Sequence, residues 1–460
     1  MKPGNKTYPW QHRRRKLLAG LALTIFLCCL PFVTLRWHGK SRVQRELAVI
    51  RAAGLPVSPQ EAAQQLPVAS PDCDGAADYE AAFAARKDVE GGKVYNEMGR
   101  EQAESPGAAL FSDAVRQMMR QYLEGNAERL RLLHEAAKHS VRRYPLDYSK
   151  GIGMELPHLA KLRDAVRLLQ IEALVAAEDG DTERATQALL AAMAASDTVR
   201  EEPVTISQLV RCACHGIVQD ALRRVLSTAH LSENQLARLA DVFRNTENTA
   251  MLSQMLAVER AQMLDVYDRP GDIVRFWGGI QELEEVVPGG TESLIRAGNA
   301  LGVTESDKLR CLEVTGKLIE ASRLPFHEML PATGAIEDAM TADRPMIPRI
   351  STAVLGGLPR VFEAPVRSAA FMRSAYVALA VERYRLATDR LPPSLDDLVP
   401  LFLGELPKDP FDNKPLRYRL LDHGYIVYSV GRNLQDDAGA PVPPQADWRR
   451  EGDLVFRVDR

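Results

Sequence analysis

The apolar positions divide the chain into three stretches. The first is an uncharged run of 19 residues, Leu17 to Leu35, flanked by Arg13, Arg14, Arg15 and Lys16 on one side and Trp37 on the other. As a helix it spans about 28 Å at ~1.5 Å per residue, close to the ~30 Å hydrocarbon core of a bilayer. Trp37 falls at interfacial depth, and the basic cluster favours a cytoplasmic N-terminus. The expectation is a basic tail over 1–16 and a single-pass anchor over 17–37. A cleaved signal peptide is the rival reading. It calls for a shorter apolar region and small residues at a cut site, and the residues after Phe32 show no Ala-x-Ala pattern. Cys28 and Cys29 lack the small preceding residue usual for lipidation.

The second stretch, 76–330, follows a helical period after a Pro-punctuated linker over 38–75. Leu162, Val166, Leu169, Ala173 and Ala176 fall on one face, Gly180-Asp181 interrupts, and Ala185, Leu189, Ala192 and Ala195 begin another. This predicts an αα-hairpin with Thr182 available as cap, similar in style to a tetratricopeptide unit but without a continuing 34-residue period. A further helix is expected from Val204 to about Leu226. Ser232 with Gln235 signals another start, and that helix could run to about Tyr267, before Arg269-Pro270-Gly271. Residues 331–365, rich in Pro and Gly, are expected to connect.

In the third stretch, 366–460, a helix carrying Ala370, Val377, Val381 and Tyr384 leads to Leu391-Pro392-Pro393 and a short helix capped by Ser394. The period then becomes two. Leu416, Tyr418 and Leu420, then Ile426, Tyr428 and Val430, predict a hairpin about Asp422-His423-Gly424, with Leu454, Phe456 and Val458 as a third strand. The fold class expected is mainly α, with an N-terminal transmembrane helix, a helical-hairpin body and a small C-terminal α+β domain with an antiparallel sheet.

Charge sharpens the topology. Residues 1–51 hold eleven Lys/Arg against one acid, leaving 47 basic and 60 acidic residues in the remainder. An acidic body argues against a nucleic-acid partner, which needs a basic surface. Four cysteines, Cys73, Cys212, Cys214 and Cys311, lie outside the apolar run, too few for a disulfide scaffold. A Cys73–Cys311 bond stays open, because geometry decides it.

Leu406-Pro407-Lys408-Asp409-Pro410-Phe411-Asp412-Asn413, then Pro415 and Tyr418, then Tyr428-Ser429-Val430-Gly431, resemble the globular domain of the major pseudopilin of type II secretion over 366–460. The whole chain also resembles a family of uncharacterised bacterial membrane-anchored helical proteins. Glu201-Glu202-Pro203 and Ile206-Ser207-Gln208-Leu209-Val210, after the Gly180-Asp181 hairpin, carry that likeness. The chain departs from true pseudopilins in lacking a prepilin peptidase site near Lys16–Leu23, and in placing some 330 residues between the apolar run and the module.

In pseudopilins the loop after the second strand binds calcium. The resemblance implies a calcium site at Asn433, Asp436 and Asp437, with Asp447 or Asp453 completing the oxygens such an ion takes. A solvated acidic turn capped by its own side chains is the alternative. Asp409-Pro410 and Asp412-Asn413 read as turns whose acids cap backbone amides.

Other constellations read as structural. His134 and His139 lie about 140° apart on a helix and cannot share a metal. Cys212-Ala213-Cys214-His215 lacks zinc spacing and sits among Leu209, Val210, Ile217 and Val218, which implies a buried helix. Glu282, Glu284 and Glu285 read as a solvated turn. No nucleophile elbow, Walker loop, dinucleotide fingerprint or His-Glu-x-x-His occurs.

The sequence therefore favours a binding or assembly protein over an enzyme. It would be anchored in the inner membrane with its body in the periplasm, associated with type II secretion or pilus-like machinery, and would bind an envelope protein. An envelope hydrolase with its site in the helical body and a purely structural scaffold stay open.

Overall fold

The helical hairpin forms where alanine permits close approach. Helix α7 (Pro157–Glu178) carries Pro157 in its first turn and buries Ala173, Ala176 and Ala177; α8 (Thr182–Ser196) buries Ala185, Ala188, Ala191, Ala192 and Ala195. Small side chains let two backbones pack closely, and the Leu residues between them fill the seam. Asp181, rather than Thr182, caps α8, accepting from Arg184 N at 3.0 Å. Aspartate is the stronger N-cap because its charge also meets the helix dipole.

The computed structural model describes residues 37–66, 75–87, 91–104, 111–139, 144–268, 303–342, 351, 355–442, 447, 449–450 and 452–460. The protein is mainly α, with a three-stranded antiparallel sheet near the C-terminus. The apolar run 17–35, Cys73, Arg269-Pro270-Gly271 and Glu282, Glu284 and Glu285 lie outside the described residues. Among those described, no helix is long and apolar enough to cross a membrane.

Helix α1 covers 37–52. Beyond it come α2 (Pro59–Gln65), α3 (Ala76–Ala84), α4 (Gly91–Glu104), α5 (Asp113–Gly125) and α6 (Ala127–Ala136). The stretch 38–75, expected as a linker, thus contains two helices. Ser58 caps α2 with Pro59 in its first turn, so the proline there starts a helix instead of preventing one.

Helix α9 (Thr205–Thr228) follows the hairpin, and α10 (Glu233–Arg244) starts with the Ser232–Gln235 capping box. The helix expected to reach Tyr267 stops at Arg244. The chain bends through 245–248 and resumes as α11 (Thr249–Asp268). Helices α12 (Val303–Ala321) and α13 (Phe326–Ala342) follow, so the expected connection over 331–365 begins inside a helix.

Helix α14 (Glu363–Thr388) is the spine of the molecule. Val366, Ala369 and Ala370 belong to a core shared with α11, α12 and α13; Met372, Ala375, Val377, Ala378 and Val381 belong to the core of α3–α10. Both cores reach the sheet, the α11–α13 core through Val430 and Leu454, the α3–α10 core through Tyr425, Val427, Phe456 and Val458. The C-terminal module and the helical body are therefore packed as one unit.

Strands β1 (Arg417–Leu421), β2 (Gly424–Ser429) and β3 (Leu454–Val458) pair in the order β1-β2-β3, with Tyr418 opposite Val427 and Val427 opposite Phe456. Every residue of β2 is buried. One face lies on α14, where Tyr425 OH donates to Ala378 O at 3.2 Å and Glu382 Oε1 at 3.1 Å. The segment after Gly431 covers the other. Gly439, at φ 77°, lies so near Ile426 that a Cβ there would come within 2.1 Å of Cδ1, so only glycine fits.

Candidate functional site

The acidic loop is built as a roof over β2. Asp453 Oδ2 accepts from Gly439 N at 2.7 Å and Oδ1 from Asp437 N at 3.4 Å. Asp437 Oδ2 accepts from Asn433 Nδ2 at 3.1 Å and Gly452 N at 3.2 Å. Asp436 Oδ1 accepts from Tyr428 OH at 3.1 Å and Ala438 N at 3.0 Å, and Asn433 Oδ1 accepts from Gln435 N at 3.2 Å. Asn433, Asp436, Asp437 and Asp453 thus share one loop, but many of their oxygens already take protein donors. Asp447 stands apart, accepting from Arg449 N at 3.1 Å. Among the described residues, no group of three or more His, Cys, Asp or Glu is arranged to hold a metal ion. Burial, with Asp437 and Asp436 nearby, pushes Asp453 up to about 6.

Asp409 is the anchor of the preceding turn. Its Oδ1 accepts from Phe411 N at 2.9 Å and Ser429 OH at 2.8 Å; its Oδ2 accepts from Val430 N at 2.9 Å and Arg417 Nη1 at 3.0 Å. Asp412 Oδ1 caps Lys414 N at 3.0 Å. The two acids cap amides as expected. The reach of Asp409 to β2 depends on chain reversal, which its local motif does not encode.

His134 and His139 take separate carboxylates, Glu172 at 2.7 Å and Asp78 at 2.6 Å. Cys212, Cys214 and Cys311 are free thiols. Burial pushes them up to about 11, 12 and 12, so they remain protonated and poorly nucleophilic. His215 lies between Asp197 (3.3 Å) and Ser368 (3.3 Å), with Arg211 Nε on the same Asp197 oxygen at 2.8 Å. Burial alone would raise Asp197, but His215 and Arg211 outweigh it and hold the carboxyl far below its usual range.

The residues that carry the second family resemblance build a buried polar hub. Glu202 Oε1 accepts the Ser207 hydroxyl and faces His158 Nε2 at 3.2 Å, while Gln208 Nε2 donates to Val199 O at 2.8 Å and Glu202 O at 2.7 Å. Glu202 Oε2 has no hydrogen-bond partner. The Tyr144 ring stacks on His158 with centroids 4.2 Å apart. Both side chains line a cavity of about 210 Å³ that Glu80, Asp147, Lys150 and Glu155 also border. An imidazole held by a buried carboxylate beside a cavity is suited to proton transfer. His158 and Glu202 are 44 residues apart, and their pairing has no local signature.

No family model, curated protein or solved structure matches the chain.

Proposed function

We propose that the protein is an extracytoplasmic binding or assembly protein, anchored in the inner membrane by 17–35, that presents a pseudopilin-like module to an envelope partner. The observation that carries this reading is the dual role of α14. In a filament subunit of the pseudopilin kind, the corresponding helix continues into the membrane anchor. Here it begins after the 3-10 turn Leu358–Phe362 and is buried along most of its length between two cores. A module held so firmly suits a fixed docking head better than a polymerising subunit. Association with type II secretion or pilus-like machinery, and calcium bound at Asn433, Asp436, Asp437 and Asp453, extend the same reading.

The test is a topology reporter at the C-terminus of the full chain. Alkaline phosphatase activity with a dark cytoplasmic fluorescent reporter is the expected result. A bright cytoplasmic reporter with inactive phosphatase would overturn the reading.

A second reading, an envelope hydrolase, is favoured by the His158–Glu202 pair at its cavity. It predicts turnover of ester, amide or phosphoester probes that His158→Ala abolishes and His134→Ala leaves intact.

A further inference from the structure

Helix α1 has two unlike faces. Inward, Val43 is buried and Leu47 and Ile50 pack against Val57, Leu264 and Leu312. The 0, +4, +7 spacing puts these three on one stripe. The first turn is held as well: a Cβ on Gly39 would come within 2.9 Å of Glu305 Cβ, so the missing side chain lets α1 lie against α12. The last turn is pinned by Arg51, whose Nε and Nη2 lie 2.9 and 2.8 Å from Glu61 Oε1. The helix is a fixed part of the body, not a leash.

The outward face is different. Trp37 and Val49 are 67% and 65% exposed, among the largest apolar exposures of the described residues. At 100° per residue, Arg42 and Arg45 fall on that side; Lys40, in the first turn, lies nearer the Leu47 side, and all three are exposed. Glu46 is the lone acid of the helix. An exposed tryptophan and aliphatic residue interleaved with cations is the pattern of a helix lying in a membrane interface.

The position of this face selects its occupant. The apolar run ends at Leu35, two residues before α1 begins. If the run is the anchor, the chain leaves the bilayer at the first turn of α1, within a Debye length of the headgroups. Cations there meet lipid phosphate and carboxylate groups.

We propose that the outward face of α1, formed by Trp37, Arg42, Arg45 and Val49, rests on anionic phospholipid headgroups and fixes the orientation of the body on the bilayer, bringing the exposed Lys40 of the first turn close to them. Because α1 is docked through Gly39, Val43, Leu47 and Arg51, contact at this face sets the direction in which α14 and the sheet point. The proposal rests on the anchor reading of 17–35.

The experiment is amine footprinting by mass spectrometry on the full chain in nanodiscs. Discs of phosphatidylcholine alone are compared with discs containing an equal part of phosphatidylglycerol. Lys40 acylation is expected to slow about fivefold in the anionic discs, and to recover at high salt. Lys138, in the turn after α6, and Lys317, on α12, should be unaffected. The double variant Arg42→Glu/Arg45→Glu should lose the protection while melting like the wild type. Equal Lys40 rates in the two discs would overturn the lipid contact. Protein recovered outside the discs would overturn the anchor reading and this proposal with it.

Discussion

Arg373 grips Glu247 along one edge of its guanidinium, Nε at 2.6 Å and Nη2 at 2.9 Å, while its Nη1 donates to Lys408 O at 2.6 Å. One side chain on α14 thereby ties the bend between α10 and α11 to the turn that opens the C-terminal module. The same bend is clamped from the body: Arg200 donates to Asn245 O at 2.6 Å and Glu247 O at 3.0 Å, and Arg211 to Thr246 O at 2.6 Å.

Arg373→Met should destabilise the protein by about 1–2 kcal/mol, the range for lost charge-assisted hydrogen bonds that are only partly shielded from water. In a double-mutant cycle with Glu247→Ala, the pair should show a coupling of about 1 kcal/mol. Additive losses would mean that the two side chains act independently.

Glu382 should be the more costly position. It is buried on α14, accepts from Tyr425 OH, and takes Arg460 Nη2 at 2.6 Å and Arg385 Nε at 2.9 Å. Glu382→Ala leaves Arg460 partly buried opposite no charge, and about 3 kcal/mol should be lost. Tyr425→Phe removes the hydroxyl shared between Ala378 O and Glu382 Oε1 and should cost about 1 kcal/mol. Chemical denaturation of the two variants checks the order, and a reversed order would refute this account of the hub.

Asp453 makes stability depend on pH. Its folded pKa, about 6, lies above the ordinary value of 3.8, so the folded chain holds this proton more tightly than the unfolded chain. The stabilisation is full below about pH 4 and is lost as pH rises through about 6. Relative to Asp453→Asn, the wild type should weaken over that window. If calcium occupies the loop, it favours the ionised carboxyl. Adding calcium at pH 7.5 should then raise the wild-type melting temperature and leave Asp436→Ala/Asp437→Ala unmoved. Identical melts with calcium and with chelator would remove the ion from the reading.

Arg260 should be a liability. It is 3% exposed on α11, near Cys311 of α12, and among the described residues its Nε and Nη2 have no hydrogen-bond partner. A buried cation without a carboxylate is costly. Arg260→Met, which keeps the length and drops the charge, should stabilise the protein by about 1–2 kcal/mol. A lower melting temperature would show that the guanidinium has a favourable role in the folded state.

What the sequence made legible was local. The α7–α8 hairpin, the Ser232 capping box and the hairpin about Gly424 each rest on residues within a few positions of one another. The bend at 245–248 was missed because it contains neither Gly nor Pro and is set by Arg200 and Arg211 from other elements. The docking of α1 rests on Val43, Leu47 and Ile50, an i, i+4, i+7 stripe that the linker reading of 38–75 left unused. At the candidate site, the clustering of Asn433, Asp436, Asp437 and Asp453 was visible, while their hydrogen bonds needed the third dimension. The His158–Glu202–Ser207 hub was invisible for the same reason, although Glu202 and Ser207 had already stood out as family signatures.

The most direct measurement is native-state hydrogen exchange on the full chain, comparing amides of β2 with amides of α9 across a denaturant series. If the module and the body form one unit on the α14 spine, both sets should open together, with one free energy and one denaturant slope. Opening of β2 at a markedly lower free energy, with α9 still protected, would show a separable module and contradict the fixed docking head.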